Sequence, residues 1–221
     1  AVACLAGLGW VALTAAALKT PSSHPEVAQS AGATAQAWQQ LSPEELAGIG
    51  YFRDEKCASC HAIGKSAGGT MGPNLSSISA AHRNAAWMMR HFRHPADVIP
   101  GTSMPPIQLS DDRLNTLSAF LLKLAPENAD ALESAPDGAV RGAMVYQANH
   151  CDSCHSVNGS GMKIGPPLNG VGTRHQKDWI EKHFADPGKM SADSMMPPYR
   201  FNPKEMEQIT DYLMQLPALS Q

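Results

Sequence analysis

Cys57-Ala58-Ser59-Cys60-His61 and Cys151-Asp152-Ser153-Cys154-His155 decide how the rest of this chain is read. C-x-x-C-H is the attachment signature of a c-type haem. Two thiols three positions apart can reach the two vinyl groups on one edge of the macrocycle. The histidine that follows then lies under the iron and ligates it from the proximal face. The same spacing serves two other chemistries, and both fit worse. A redox Cys pair does not require the following His. A zinc site needs four ligands at finger-like spacing, whereas each His here is adjacent to the second Cys. The motif occurs twice, and each copy is followed by a Met-Pro-Pro, at Met104-Pro105-Pro106 and Met196-Pro197-Pro198. A thioether sulfur opposite His is the ligation of electron-transfer haems and raises their potential. The sequence therefore predicts two covalent haem c groups, each with a candidate His/Met axial pair.

The motifs belong to an internal repeat. Cys57 and Cys151 are 94 positions apart, a period that indicates two domains rather than a solenoid. Gly48-x-x-x-Phe52 precedes the first motif and Gly142-x-x-x-Tyr146 the second, each aromatic five positions before its Cys. Gly72-Pro73-Asn74-Leu75 and Gly165-Pro166-Pro167-Leu168 follow, then Trp87-Met88 and Trp179-Ile180. Next come His91-Phe92-Arg93-His94-Pro95 and His183-Phe184-Ala185-Asp186-Pro187, and after each Met-Pro-Pro a closing segment with Phe120 or Tyr212. Ser42-Pro43-Glu44-Glu45 reads as a helix start: N-cap, Pro at N1, acids in the first turn. Leu46, Ile49 and Phe52 continue it at helical spacing. Ser110-Asp111-Asp112 opens a helix carrying Leu114, Leu117, Phe120, Leu121 and Leu124. Asn202-Pro203-Lys204-Glu205 opens its counterpart with Met206, Ile209, Leu213 and Leu216. No hairpin or alternating strand run stands out.

This order of features resembles the class I cytochrome c fold, over about residues 42–125 and again over 137–217. The resemblance implies an all-α domain wrapped around haem, with an N-terminal and a C-terminal helix that cross. Gly48 and Gly142 would be the residues of close approach. Phe52, Phe120, Tyr146 and Tyr212 would be the aromatics at the crossing. It also implies that the Pro73 and Pro166 carbonyls hold the proximal His61 and His155 rings, although Gly-Pro marks ordinary turns anywhere. An Arg in the region of Arg174 often pairs with a haem propionate in that family. The first domain has His82 at that place, with Arg83 beside it.

For the sixth ligand, Met104 is the choice in the first domain. In the second, the Met-Pro-Pro register favours Met196 over Met195, with Met190 third. Met88, Met89, Met144, Met206 and Met214 read as core methionines. His91 and His183 recur at equivalent positions. They could replace Met on the iron, but a place on a helix near the haem edge or at the surface fits them better. His82, His94 and His175 read as exposed or bonded to propionates.

With 17 Lys and Arg against 20 Asp and Glu, the formal net charge is −3, and both halves are balanced. Nothing forms the basic face that nucleic-acid binding requires. Four of the five cysteines are committed to haem, and Cys4 reads as a buried apolar residue. Ala1–Leu18 carries no charge and is mostly apolar. As a helix it would span roughly 27 Å, enough for a bilayer core. A signal peptide would bring a Met and a basic n-region, so a retained membrane anchor is favoured. Its glycines and alanines suit packing on other transmembrane helices.

The expected architecture is all-α. A transmembrane anchor (1–19) and a linker (20–41) lead into a first cytochrome c domain (42–125). A short acidic linker (126–136) leads to a second domain (137–221), and its shortness leaves the two haems near enough for direct electron hopping. Haem c is attached after export, so the domains are expected on the periplasmic side of the inner (cytoplasmic) membrane. The expected function is electron relay, as the dihaem component of a respiratory or photosynthetic complex. Its partners would be integral membrane subunits of quinol-oxidising cytochrome bc type or associated with an oxidase, and a soluble carrier or terminal oxidase. The competing class is a dihaem peroxidase-like enzyme, which needs an open iron and distal acid/base groups. A gas or redox sensor would need an output domain.

Overall fold

The structure, a computed structural model, describes residues 37–65, 69, 71–78, 81, 83–127 and 129–218. The anchor segment and Cys4 lie outside the described residues. Among those described, no helix is long and apolar enough to cross a membrane. The first half contains α1 (Pro43–Asp54), α2 (Ala85–Arg93), α3 (Pro95–Val98) and α4 (Asp111–Lys123). A short α5 (Ala129–Glu133) lies between the halves. The second half contains α6 (Asp137–Ala148), α7 (Val171–Arg174), α8 (Lys177–Ala185), α9 (Pro187–Met190) and α10 (Pro203–Met214). The fold is mostly helical but not wholly so. A two-stranded antiparallel hairpin, β1 (Ser156–Val157) with β2 (Ser160–Gly161), follows the second CxxCH. Asn158-Gly159 makes its turn, with both φ angles positive (52° and 80°). That dipeptide is a strong hairpin signal, and the shortness of its flanks hides it in the sequence.

The helix starts are chemically legible. Ser42 caps α1 with a reciprocal box, the Glu45 amide donating to Ser42 Oγ (3.2 Å) and the Ser42 amide to Glu45 Oε2 (2.9 Å). Asn202 and Glu205 do the same for α10. Ser110 sits at the cap of α4 without a side-chain cap bond.

Four helices pack in a row, α4 on α1, α1 on α6, α6 on α10. Glycines set the spacing. A Cβ on Gly48 would lie 2.7 Å from the Thr116 carbonyl of α4, and one on Gly142 would run into the Gln208 carbonyl of α10. Phe52 meets Phe120 edge-on at 6.1 Å, and Tyr146 meets Tyr212 at 6.4 Å. Burying each such ring contributes about 1.5–3 kcal/mol. Gly50 turns the other way, towards Met144 and Val140 of α6. As a result α1 is buried on both flanks: every residue from Glu45 to Phe52 is buried. A helix enclosed on two sides loses its polar face.

The α1–α6 contact is antiparallel and relates the halves by a pseudo-twofold. Gly50 touches Met144, its own counterpart in the repeat. Asp54 at the end of α1 takes both Arg141 Nη atoms near the start of α6, each at 2.7 Å. The segments leading into each domain cross over. Asn158 of the second domain donates through Nδ2 to the Gln39 and Leu41 carbonyls, both at 2.7 Å. Arg53 of the first domain donates through Nη2 to the carbonyls of Glu133 (2.6 Å) and Ala135 (2.9 Å), which are the equivalents of Gln39 and Leu41. Trp38 and its counterpart Leu132 are buried in the two arms. The two arms are thus gripped at equivalent carbonyls by non-equivalent donors, which resembles an isologous dimer interface inside one chain. The stretch 126–136 is therefore a docked arm as well as a connection. Because the helices are antiparallel and 12 residues long, the turns after them point to opposite ends of the pair. They are on the order of 20 Å apart along the axes, so the helix pair, and not the length of the linker, sets the separation of the two CxxCH turns.

Candidate functional site

Each N-terminal helix ends in a left-handed residue, Lys56 (φ 55°) or His150 (φ 51°), which turns the chain into the Cys-x-x-Cys turn. A non-glycine residue there is strained, and such strain concentrates at functional sites. The two turns are built alike. The His61 amide donates to the Cys57 carbonyl and the His155 amide to that of Cys151, both at 2.9 Å. Gly72 and Gly165 donate back to the Cys60 and Cys154 carbonyls at 2.9 and 2.8 Å. Both glycines lie flat against the histidine rings, since a Cβ on Gly72 would be 2.5 Å from His61 Nδ1 and one on Gly165 2.6 Å from His155 Cε1. His61 Nδ1 then donates to the Pro73 carbonyl (2.9 Å) and His155 Nδ1 to that of Pro166 (2.8 Å). With Nδ1 so occupied, Nε2 is the nitrogen left to act as a ligand.

Behind each turn is a cavity. The first, about 570 Å³, is walled by Cys57, Cys60, His61, Arg83, His91 and Met104 among others. The second, about 300 Å³, is walled by Cys151, Cys154, His155, His183, Met195 and Met196. None of the residues lining either cavity comes from the other domain. The methionine loops are pinned to α2 and α8: the Ile107 amide donates to the Phe92 carbonyl, and that of Tyr199 to the Phe184 carbonyl, both at 2.8 Å. Met104 donates its amide to Thr102 Oγ1 and Met196 its own to Ser194 Oγ, both at 3.2 Å. Met196 thus repeats the setting of Met104. Met195 is 83% exposed, and Met190 ends α9 outside the cavity wall.

Burial pushes the Cys57 thiol up to about 11 and that of Cys151 up to about 12. A disulfide-exchange pair needs the opposite, a thiol acidified for attack. No group of three or more His, Cys, Asp or Glu converges among the described residues, which leaves a zinc site short of ligands. Polar nitrogens are also left open on the cavity walls: Arg83 Nε, His91 Nδ1 and His183 Nδ1 are buried without a partner. Burial holds both imidazoles below the usual histidine range, and at His91 the Arg83 charge adds to it. Paired thiols, an oriented imidazole, a thioether and unsatisfied donors around an apolar volume fit a covalently attached haem.

Arg83 is a wall residue that the sequence does not single out as cofactor-binding. Its guanidinium lies 4.1 Å over the Trp87 ring, and Trp87 stacks on His91 at 4.7 Å. In the second domain His175, Trp179 and His183 form the same ladder at 3.5 and 4.7 Å. The i, i+4, i+8 spacing of Arg83, Trp87 and His91 is the available signal. Arg174 is exposed and donates to the carbonyls of Asn169 (2.8 Å) and Pro167 (3.1 Å), next to Pro166. His82 lies outside the described residues.

A mostly helical domain with a haem-shaped donor set, present twice in tandem, defines the class. The sequence profile of the cytochrome c family matches residues 47–125 and 139–217, and the chain belongs to that family. Cytochrome c domains imply covalent haem c. The chain is 30% identical over 93 residues to a subunit of the nitric oxide reductase of Halomonas halodenitrificans, covering 37% of this chain and 60% of that protein. It is 27% identical over 101 residues to cytochrome c oxidase subunit 2 of Alkalihalophilus pseudofirmus, covering 42% of this chain and 30% of that one. It spans less than two thirds of the length of either relative.

Proposed function

We propose that the chain is a membrane-anchored dihaem cytochrome c that relays electrons as a subunit of a membrane oxidoreductase complex. The observation that carries this reading is the duplicated setting of His61 with Met104 and of His155 with Met196. Each pair lines one cavity, in which the carboxylate among the lining residues is Glu55 in the first and Asp193 in the second. Bound haem supplies a one-electron ferric/ferrous couple. The protein's own part is structural. Cys57, Cys60, Cys151 and Cys154 would hold the group as thioethers. Pro73 and Pro166 fix the proximal rings, and Arg174 braces the loop that carries Pro166. Met104 and Met196 would supply thioether sulfur to the iron, so that electrons would pass without a change of ligand. Segment 1–19 anchors the domains on the periplasmic side of the inner membrane. The partners are integral membrane subunits, of quinol-oxidising or oxidase type, and a soluble carrier or terminal oxidase. The two relatives support this by name, since both are subunits of a reductase or an oxidase.

The test is the visible spectrum of the purified protein, oxidised, reduced, and reduced under carbon monoxide. Two closed His/Met haems give a methionine-to-iron charge-transfer band and no response to carbon monoxide. A carbon monoxide shift in the wild type would replace relay with a peroxidase-like reading.

A further inference from the structure

The two ladders differ on one rung. In the first domain it is Arg83, which carries a guanidinium charge. In the second it is His175, stacked flat on Trp179 and absent from the cavity wall. Arg83 does line its cavity, and its Nε is buried there without a hydrogen-bond partner. Trp87 holds the guanidinium in place from below. The remaining wall charges point the same way. The first cavity has Lys56 and Arg83 against Glu55, whereas the second has Asp193 and no lysine or arginine. A positive wall favours the more electron-rich state of a redox centre, and a negative wall disfavours it. The effect is strongest for a charge withdrawn from water.

We infer that Arg83 is a potential-setting residue and that the first domain holds the higher-potential haem of the two. This ranking rests on the dihaem reading above. In a half-reduced molecule the single electron would then sit in the first domain. It reaches that iron from the second by simple transfer, with no bond made and no proton moved.

A redox titration of the full chain with both haems attached, followed by visible absorbance, tests the ranking. The wild type is expected to give two one-electron waves. Arg83→Gln should lower the upper wave alone and narrow the gap, and Arg83→Lys should restore most of it. His175→Arg should raise the lower wave alone, and it decides the matter if Arg83→Gln loses haem. The assignment is internal, because the wave that moves belongs to the domain that was changed. Movement of the lower wave in Arg83→Gln, movement of neither wave, or a rise of the upper wave in His175→Arg would overturn the ranking. Those results leave the relay reading intact if both haems stay closed to carbon monoxide. Wild-type protein with one haem, or with an open iron, would overturn both.

Discussion

The two domains share a plan and differ in what fills it. In the first, phenylalanines make the helix crossing, Phe52 on Phe120. In the second, tyrosines do: Tyr146 donates its hydroxyl to the His155 carbonyl at 3.1 Å, while the buried Tyr212 hydroxyl has no partner. The first cavity is about 570 Å³ and carries Arg83, and the second is about 300 Å³ and carries none of its kind. Features that repeat in both halves include those around the Cys-x-x-Cys-His turn: the left-handed residue, the thiols, the glycine against the ring and the pinned methionine loop. Features that differ act on potential and stability. Duplication thus separates the constraints of the cofactor from the choices open to each domain.

Four experiments would break or sharpen this comparison. The largest effect is expected at the methionines. Met104→Ala and Met196→Ala should each open one haem to carbon monoxide, about half of the total haem signal, whereas Met195→Ala should open neither. Reduced spectra under carbon monoxide show this directly, and a response in Met195→Ala would reverse the assignment in the second domain. Next come the glycines. Gly48→Ala and Gly142→Ala place a methyl against helix backbone and should each cost about 1–3 kcal/mol in denaturant unfolding. Gly50→Ala should cost less, because the Met144 side chain it meets can move.

Smaller again is the aromatic exchange. Tyr212→Phe removes a buried hydroxyl without a partner and should stabilise by about 1 kcal/mol, and Phe120→Tyr should destabilise by a similar amount. Equal signs in the two Tm shifts would deny the difference between the crossings. The smallest effect is expected at the domain contact. The hydrogen bond from Arg141 lowers the Asp54 carboxyl below its ordinary value. Its stabilisation is therefore fully present above that ordinary value, near pH 4, and is lost as pH falls through the lowered one. Asp54→Asn should cost about 0.5–1 kcal/mol at pH 7, and the gap to the wild type should close in acid. A gap that persists at pH 2 would mean that Asp54 acts by packing.

Much of each domain is legible in the sequence because haem attachment and helix crossing need particular residue types at particular spacings. Cys57, His61, Gly48 and the Ser42 cap announce themselves. The relation between the domains is not legible, for physical reasons. Apart from the Asp54–Arg141 pair, the hydrogen bonds that hold the two arms end on backbone carbonyls at Gln39, Leu41, Glu133 and Ala135, which any residue supplies. Gly50 reads like one more helical glycine until Met144 is seen against it. Arg83 hides behind Arg174, the more conspicuous arginine, whose guanidinium is taken up by its own loop. The Asn158-Gly159 turn is hidden because two-residue strands leave no alternation to detect.

The crossed arms also bear on the order in which the chain is made. The carbonyls that Arg53 grips belong to residues up to Ala135. A first domain emerging at residue 125 therefore has its haem motif and both crossing helices, but its flank is still bare. The leading arm waits longer, since its Asn158 anchor lies far downstream and Gln39 also donates to the Gln215 carbonyl at 3.2 Å. The first half gains its flank with the arm to Ala135 and with α6, while the leading arm has all of its anchors only when Gln215 has arrived. An incomplete chain is therefore open along this flank, and its two halves close in sequence.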